Sequence, residues 1–336
     1  MTRVVSAIAV LACAAIALLL AWPQLFGMQW TTGIAQAVAL RGLAIVVALI
    51  GAVAFTILGL LSPAARRFAG SLALVSLGFA ALTTIVLATR GFGNLAFETK
   101  GPADVTVLSW NTLGDAPGAD VIAGLALESD ADIIALPETT NAMGLEIAQL
   151  MQVADRPMWV YTVAYDEVSK ARSTTLLVSV DLGEYVVDEA AATTAVLPSI
   201  VATPADGDGP TIVVVHTVAP LPPMERTWVQ DLGWVAEQCP GGDVILAGDF
   251  NATLDHFSGL PRSEGADLGS CRDAAAATDN AAVGTWPTQL PALLGAPIDH
   301  VLVSEAWRVT GMRVIQSVDG SGSDHRPVLV QLQRAD

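Results

Sequence analysis

Hydrophobic and polar positions divide this chain into two unlike parts. Val4–Trp22, Gly42–Leu61 and Phe68–Thr89 are uncharged apolar runs. At a helical rise of about 1.5 Å per residue, each is long enough to cross a hydrocarbon core. Three such runs in succession predict a membrane domain over 1–90 with three transmembrane helices. The stretch 91–103, with glycines, a proline and little periodicity, reads as a linker. From 104 to 336 the pattern changes to short β-rich runs: Val105–Trp110, Ile133–Leu136, Thr174–Ser179, Thr211–His216, Val244–Ala247, Ile298–Val303, Val309–Gln316 and Val328–Leu332. Several are apolar without interruption, as central strands buried on both faces are. Asp120–Leu127 and Met224–Glu237 read as helices, the second behind Pro222 and Pro223, which suit a helix start.

Charge sharpens the division. All 33 acidic residues lie after Arg90, against eleven of the 16 basic ones, so the second part carries a net charge near −22. The first part has only Arg3, Arg41, Arg66, Arg67 and Arg90. Arg66 and Arg67 share the short loop between the second and third runs. The positive-inside rule then expects that loop and the amino terminus in the cytoplasm. The protein would be integral to the cytoplasmic membrane, embedded in the bilayer through residues 4–89, with the second part extracytoplasmic. Arg41, at the outer end of the second run, opposes this mildly, although a long side chain there can snorkel. A cleaved signal peptide fits the first run poorly, because the run is too long and no small-residue cleavage site follows. Cys239 and Cys271 are either one disulfide in an oxidising compartment or two buried thiols.

Four segments of the second part end an apolar run on polar groups: Ser109-Trp110-Asn111, Ile133 to Glu138, Val244 to Asn251, and Ser323-Asp324-His325-Arg326-Pro327, which precedes the last run. Strands that stop at carboxylates and amides present them at a sheet edge, where they can converge on one pocket. Asn111, Glu138, Asp249, Asn251, Asp324 and His325 would line it. Hard oxygen donors of this kind suit Mg²⁺ or Mn²⁺. Such an ion with an aligned water serves phosphoester hydrolysis. A serine-nucleophile reading of Ser323-Asp324-His325 fails, since no Gly-x-Ser-x-Gly elbow is present.

From Val105 to Leu332 the chain resembles the endonuclease/exonuclease/phosphatase superfamily, which includes deoxyribonuclease-like nucleases, inositol polyphosphate phosphatases and neutral sphingomyelinases. The resemblance rests on Gly248-Asp249-Phe250-Asn251, Ile298-Asp299-His300-Val301-Leu302 and Ser323-Asp324-His325-Arg326-Pro327. It implies an α+β fold, a four-layer α/β/β/α sandwich, following the three transmembrane helices. It also implies roles. Glu138 is the main metal ligand, with Asn111 beside it and Asp324 as a further metal-site carboxylate. Asp249 orients or deprotonates the attacking water. Asn251 binds the phosphate in the transition state, His325 contacts the phosphoryl oxygen, and Asp299 fixes the tautomer of His325. His216 stands where many members place a second phosphate-contacting histidine.

Two positions depart from the family pattern. Pro137 stands where a Gln usually precedes the metal-binding Glu, and Leu113 stands where some nucleases have a carboxylate. A second metal site is therefore doubtful, and Asp115 is a poor substitute. His300 alternates with Asp299 and reads as structural. His256 reads as a solvated loop residue ahead of a mouth-lining one. Arg172 and Lys170 either meet an anionic substrate or are solvated. Trp286 reads as core packing ahead of a ring stacking on substrate.

The substrate is a phosphodiester or phosphomonoester: a lipid headgroup, an envelope phosphoester or nucleic acid. The acidic balance disfavours duplex nucleic acid, which is bound chiefly through Lys and Arg. The alternative is a catalytically inactive, membrane-tethered binding module of the same fold. The intact set of polar residues argues against it.

Overall fold

The computed structural model describes residues 3–166, 168–188 and 193–335. The chain opens with helices α1 (Arg3–Ala21), α2 (Ile34–Ala39), α3 (Arg41–Leu61) and α4 (Arg66–Arg90). Three of them, α1, α3 and α4, are long and apolar enough to cross a membrane. Helix α4 packs against both α1 and α3.

The remainder runs β1 (Val105–Ser109), α5 (Ala119–Glu128), β2 (Ile133–Pro137), α6 (Asn141–Val153), β3 (Met158–Ala164), β4 (Ser173–Ser179), β5 (Tyr185–Val187), β6 (Ile200–Pro204), β7 (Thr211–His216), α7 (Glu225–Glu237), β8 (Val244–Asp249), α8 (Leu254–Phe257), β9 (Arg272–Asp273), α9 (Ala274–Ala277), β10 (Asp299–Val303), β11 (Trp307–Val314) and β12 (Val328–Arg334). Two six-stranded sheets form, ordered β11-β12-β1-β2-β4-β3 and β5-β6-β7-β8-β10-β9. The eight strands expected from the sequence are all present, and β3, β5, β6, β9 and helices α2, α6, α8 and α9 are additional.

The uninterrupted apolar strands are explained by what covers each face. Successive side chains point to opposite sides of a strand. Val105, Val107, Ile133 and Ala135 from one sheet meet Ile212, Val214, Ile245, Ala247, Val301 and Val303 from the other. Leu108, Ile134 and Leu136 turn outward onto Ile122 of α5 and Ile147 and Met151 of α6. Val213, Val215 and Leu246 turn outward onto Trp228, Leu232 and Val235 of α7. Positions on both faces of the central strands are therefore mostly apolar, and the result is helix, sheet, sheet, helix.

Strand direction gathers the polar strand ends at one edge. β1 runs parallel to β2, and β7 parallel to β8, so the carboxyl ends of each pair emerge together. β10 and β12 run antiparallel to β8 and β1. Asp299 thus lies opposite Asp249, and Val328, just after Pro327, lies opposite Ser109.

The N-terminal helical part docks against this edge through the segment between α1 and α3 and through the ends of α3 and α4. Arg41 donates to Asp255 through Nε (2.9 Å) and Nη2 (2.8 Å), and Arg90 Nη1 donates to the same carboxylate at 2.8 Å. The Trp30 indole N–H donates to the His256 carbonyl (2.8 Å), and Gln29 Nε2 to the Ser258 carbonyl (2.6 Å). Arg41 is therefore not a snorkelling residue but one of two arginines bound to the buried Asp255 carboxylate. The segment 91–103 lies against the sandwich: Glu98 N donates to Thr310 O at 2.9 Å, and Lys100 Nζ bonds Asp130 and Asp132.

Candidate active site

Backbone conformation aims the first groups. Glu138 follows β2 at φ 58° and Asn251 follows β8 at φ 45°, both in the left-handed region. Non-glycine residues held there cost energy and concentrate at functional sites. Gly248 has φ 148°, and a Cβ there would lie 2.0 Å from the Val215 carbonyl oxygen, so β7 and β8 require glycine at this point. Ser323 stitches the fourth segment to the first. Its hydroxyl donates to Asn111 O (2.7 Å) and accepts from His325 N (3.0 Å). The Trp110 indole N–H adds a bond to His325 O at 2.8 Å.

The side chains expected from the sequence lie around one opening. Asn111 Nδ2 donates to Glu138 Oε1 (3.2 Å) and to Asp249 Oδ2 (3.0 Å). Asn251 donates its backbone N–H to Asp249 Oδ1 (2.8 Å). Its side-chain amide reaches Asp249 Oδ2 (3.1 Å) and Thr217 O (2.9 Å). His325 Nδ1 bonds Asp299 Oδ2 at 2.8 Å, while its Nε2 stands 3.8 Å from Asp249 and 4.0 Å from Asp324. His216 Nε2 lies 3.8 Å from Glu138 Oε1.

Burial and crowded charge set the protonation states. Burial raises Asp249, reinforced by the Asp299 carboxylate beside it. Burial opposes charge on His325, but the Asp299 and Asp249 carboxylates prevail and raise it. Burial, with His325 nearby, pushes His216 down to about 3, so it is a neutral imidazole. Burial also raises Glu138.

Glu138, Asp249, Asp299 and Asp324 bring four carboxylates together, with His325 the only group among these residues able to hold positive charge at neutral pH. Asp324 Oδ1 and His216 Nδ1 are buried with no hydrogen-bond partner among the described residues. Asp249, Asp299 and His325 offer ligand atoms that all lie within 4.8 Å of one another. An excess of hard anionic donors in a buried pocket fits a divalent cation. Within that trio, His325 Nδ1 and Asp299 Oδ2 already use those atoms on each other, which leaves them better suited to orientation than to coordination.

His256 and Trp286 differ from expectation, and the other residues in question lie outside the opening. His256 is buried, not solvated: its Nδ1 accepts from Thr253 N (2.8 Å) and its ring packs edge-on against Trp228. Trp286 is half-buried rather than core, and its indole N–H donates to Asp324 Oδ2 at 2.9 Å. Arg172 pairs with Asp166 and Lys170 with Asp115. Asp115 also accepts from Thr140 N and Oγ1, both at 2.9 Å, so its carboxylate is committed to α6. Leu113 is exposed. His300 bonds Asp273 Oδ2 (2.6 Å) and Ala252 O (2.8 Å), away from the opening. Sequence reasoning missed Thr217, whose carbonyl holds Asn251, and Thr285, whose hydroxyl accepts from Asp299 N (3.1 Å). A lone threonine in a loop gives no pattern to detect.

Solved structures share this architecture. An endonuclease/exonuclease/phosphatase from Beutenbergia cavernae is 18% identical, covering 69% of this chain and 72% of that chain, with a TM-score of 0.50. One from Bacteroides vulgatus is 16% identical, covering 69% and 99%, also at 0.50. A mannosyl-6-phosphatase from Bacteroides thetaiotaomicron is 21% identical, covering 68% and 99%, at 0.47. No curated protein sequence matches the chain. The endonuclease/exonuclease/phosphatase family pattern matches residues 108–325, well over half the chain. The chain therefore belongs to the endonuclease/exonuclease/phosphatase family of phosphoester hydrolases.

Proposed function

We propose that this protein is a membrane-anchored, divalent-metal-dependent phosphoester hydrolase whose catalytic domain lies outside the cytoplasm. The observation that carries the chemistry is the His325 imidazole, oriented by Asp299 and opening through Nε2 toward Asp249 and Asp324. Glu138, Asn111 and Asp324 would hold Mg²⁺ or Mn²⁺, which when bound supplies Lewis-acid polarisation of the phosphoryl group. Asp249, raised toward the range where a base works at neutral pH, takes the proton of the attacking water. Asn251 turns its amide to the phosphoryl oxygens, and His325 Nε2–H donates to them as charge builds. His216, neutral and buried, offers a second donor. Arg172 and Lys170 pair with Asp166 and Asp115 at the surface, and the imidazoles and the ion are the buried groups that recognise the phosphate, with Arg172 as a weaker outer contact.

Three features support the orientation. Arg66 and Arg67 sit at the turn between α3 and α4, far along the helices from Arg41 and Arg90. Those two arginines are neutralised on Asp255, so the charge bias toward the opposite side stands unopposed. Cys239 and Cys271 are joined in a disulfide, which persists in oxidising compartments.

The test uses full-length protein in detergent, with Mg²⁺ or Mn²⁺, against a phosphodiester and a phosphomonoester reporter. Turnover that chelator abolishes is the expected result, and undiminished turnover in excess chelator overturns the metal dependence. A reporter fused after Asp336 that works only in the cytoplasm overturns the orientation.

A further inference from the structure

Beside the catalytic opening is a second, carbon-lined cavity of about 210 Å³. One wall is Asn251 and Trp286, the latter bonded to Asp324. Ile298 and Leu221 add apolar surface. A further wall comes from the N-terminal part of the chain, Gln36, Ala39 and Leu40, with Ala219, Pro220 and Ala296 completing the lining. Leu40 directly precedes Arg41, the first residue of α3. The cavity therefore reaches from the phosphate-binding amide to the level at which a membrane helix begins.

The surroundings carry the same polarity. Leu221 at the cavity is 56% exposed, and Leu293 is 46% exposed. The Leu293 backbone abuts the first turn of α3: a Cβ on Gly42 would lie 1.9 Å from its carbonyl oxygen. Trp22, Leu25 and Phe26, following α1 at the same level, are also exposed. Apolar and aromatic side chains at helix ends of this kind sit at the headgroup level of a bilayer. The volume is below the roughly 300–1,000 Å³ of a site that encloses a whole small molecule, so it suits part of one.

We propose that the substrate is a membrane-lipid phosphoester, with its phosphoryl group at His325 and Asn251 and the apolar part next to the phosphate seated against Leu40, Leu221 and Trp286. The rest of the tail leads into the bilayer beside α3. A sugar phosphate presents mainly hydroxyls to this surface, and a nucleic-acid strand, whose bases can stack on Trp286, brings a polyanionic backbone that the acidic domain disfavours. The inference rests on the hydrolase reading above and adds the substrate class to it.

The experiment compares two kinds of substrate on the full-length protein with Mg²⁺ or Mn²⁺. Lipid probes are phosphatidylglycerol, phosphatidic acid, phosphatidylinositol and a polyprenyl phosphate in mixed micelles. Soluble probes are bis(p-nitrophenyl) phosphate and p-nitrophenyl phosphate. At least one lipid should be cleaved with kcat/KM at least about tenfold above the soluble probes, from the added apolar contact. Ala39→Trp, which fills the cavity, and Leu221→Asp, on an exposed position that tolerates charge, should each lower the lipid-to-soluble ratio about tenfold. An unchanged ratio in a folded Leu221→Asp protein overturns the inference. Cleavage of soluble probes with no lipid cleaved also overturns it and leaves the hydrolase reading standing. No turnover of any probe overturns both.

Discussion

Strand β10 carries two buried histidine–aspartate pairs on its opposite faces. Asp299 holds His325 at 2.8 Å, and the next residue, His300, is held by Asp273 at 2.6 Å. In chemistry and burial the pairs are nearly equivalent. They differ at the second ring nitrogen. His300 Nε2 is bonded to Ala252 O at 2.8 Å, and its ring is enclosed by Phe250 and Phe257. His325 Nε2 faces carboxylates at 3.8 and 4.0 Å, too far for a hydrogen bond. A histidine–aspartate pair is thus a structural strut when both nitrogens are committed and a reactive group when one is left open.

The largest expected effect separates the pairs by activity. His325→Ala should lower turnover about 10²–10³-fold by removing a preorganised donor. Asp249→Ala should lower it about 10²–10⁴-fold by removing the base. Both proteins should remain folded, as circular dichroism and melting would report. Near-wild-type turnover in folded Asp249→Ala protein would remove the hydrolase assignment.

Asp299→Asn should come next, at about 10–100-fold. It leaves His325 in place but loosens its orientation, so kcat should fall more than KM rises. A change confined to KM would mean that Asp299 serves binding rather than positioning.

The companion substitution on the other face should act on stability instead. Asp273→Asn leaves a buried histidine short of its counter-charge, and breaking such a pair costs about 3–5 kcal/mol. Denaturant unfolding should register the loss while specific activity of the folded fraction is kept. A folded Asp273→Asn protein that is inactive would make the two pairs functionally alike.

The smallest effect is in pH. Both partners of His300 accept hydrogen bonds, so the doubly protonated ring is favoured. Against the cost of burial, Asp273 raises its pKa above the usual 6.5. Stabilisation from this pair is then complete below about 6.5 and is lost as pH rises through the raised folded value. Asp255 behaves in the opposite sense. Although burial opposes its charge, Arg41 and Arg90 hold its carboxyl well below the usual range. Its contribution is present above about pH 4 and fades as pH falls. Melting curves of the wild type and His300→Gln should converge with rising pH; a constant gap would refute the assignment.

The central strands were legible because they are covered on both faces and so are mostly apolar. The edge elements were not. β5 has three residues, and β3 leaves Trp159 41% exposed, so neither shows a clean alternation. Helix α6 begins at a cap, Thr140 accepting from Met143 N, that resembles many loop threonines.

What the sequence determined by itself was local: the three apolar helices, the strands ending in Asn111, Glu138, Asp249 and Asn251, and the motif carrying Asp324 and His325. Periodicity records which face of an element must be covered. It does not record what covers it. Arg41 meets Asp255 across 214 positions and Arg90 meets it across 165, so neither pairing leaves a trace in any local window. The tertiary structure alone decided that His256 is buried beneath the N-terminal segment, that Trp286 supports Asp324, and that Leu40 and Asn251 share a cavity. Each depends on two elements that a linear pattern describes separately and only packing brings together.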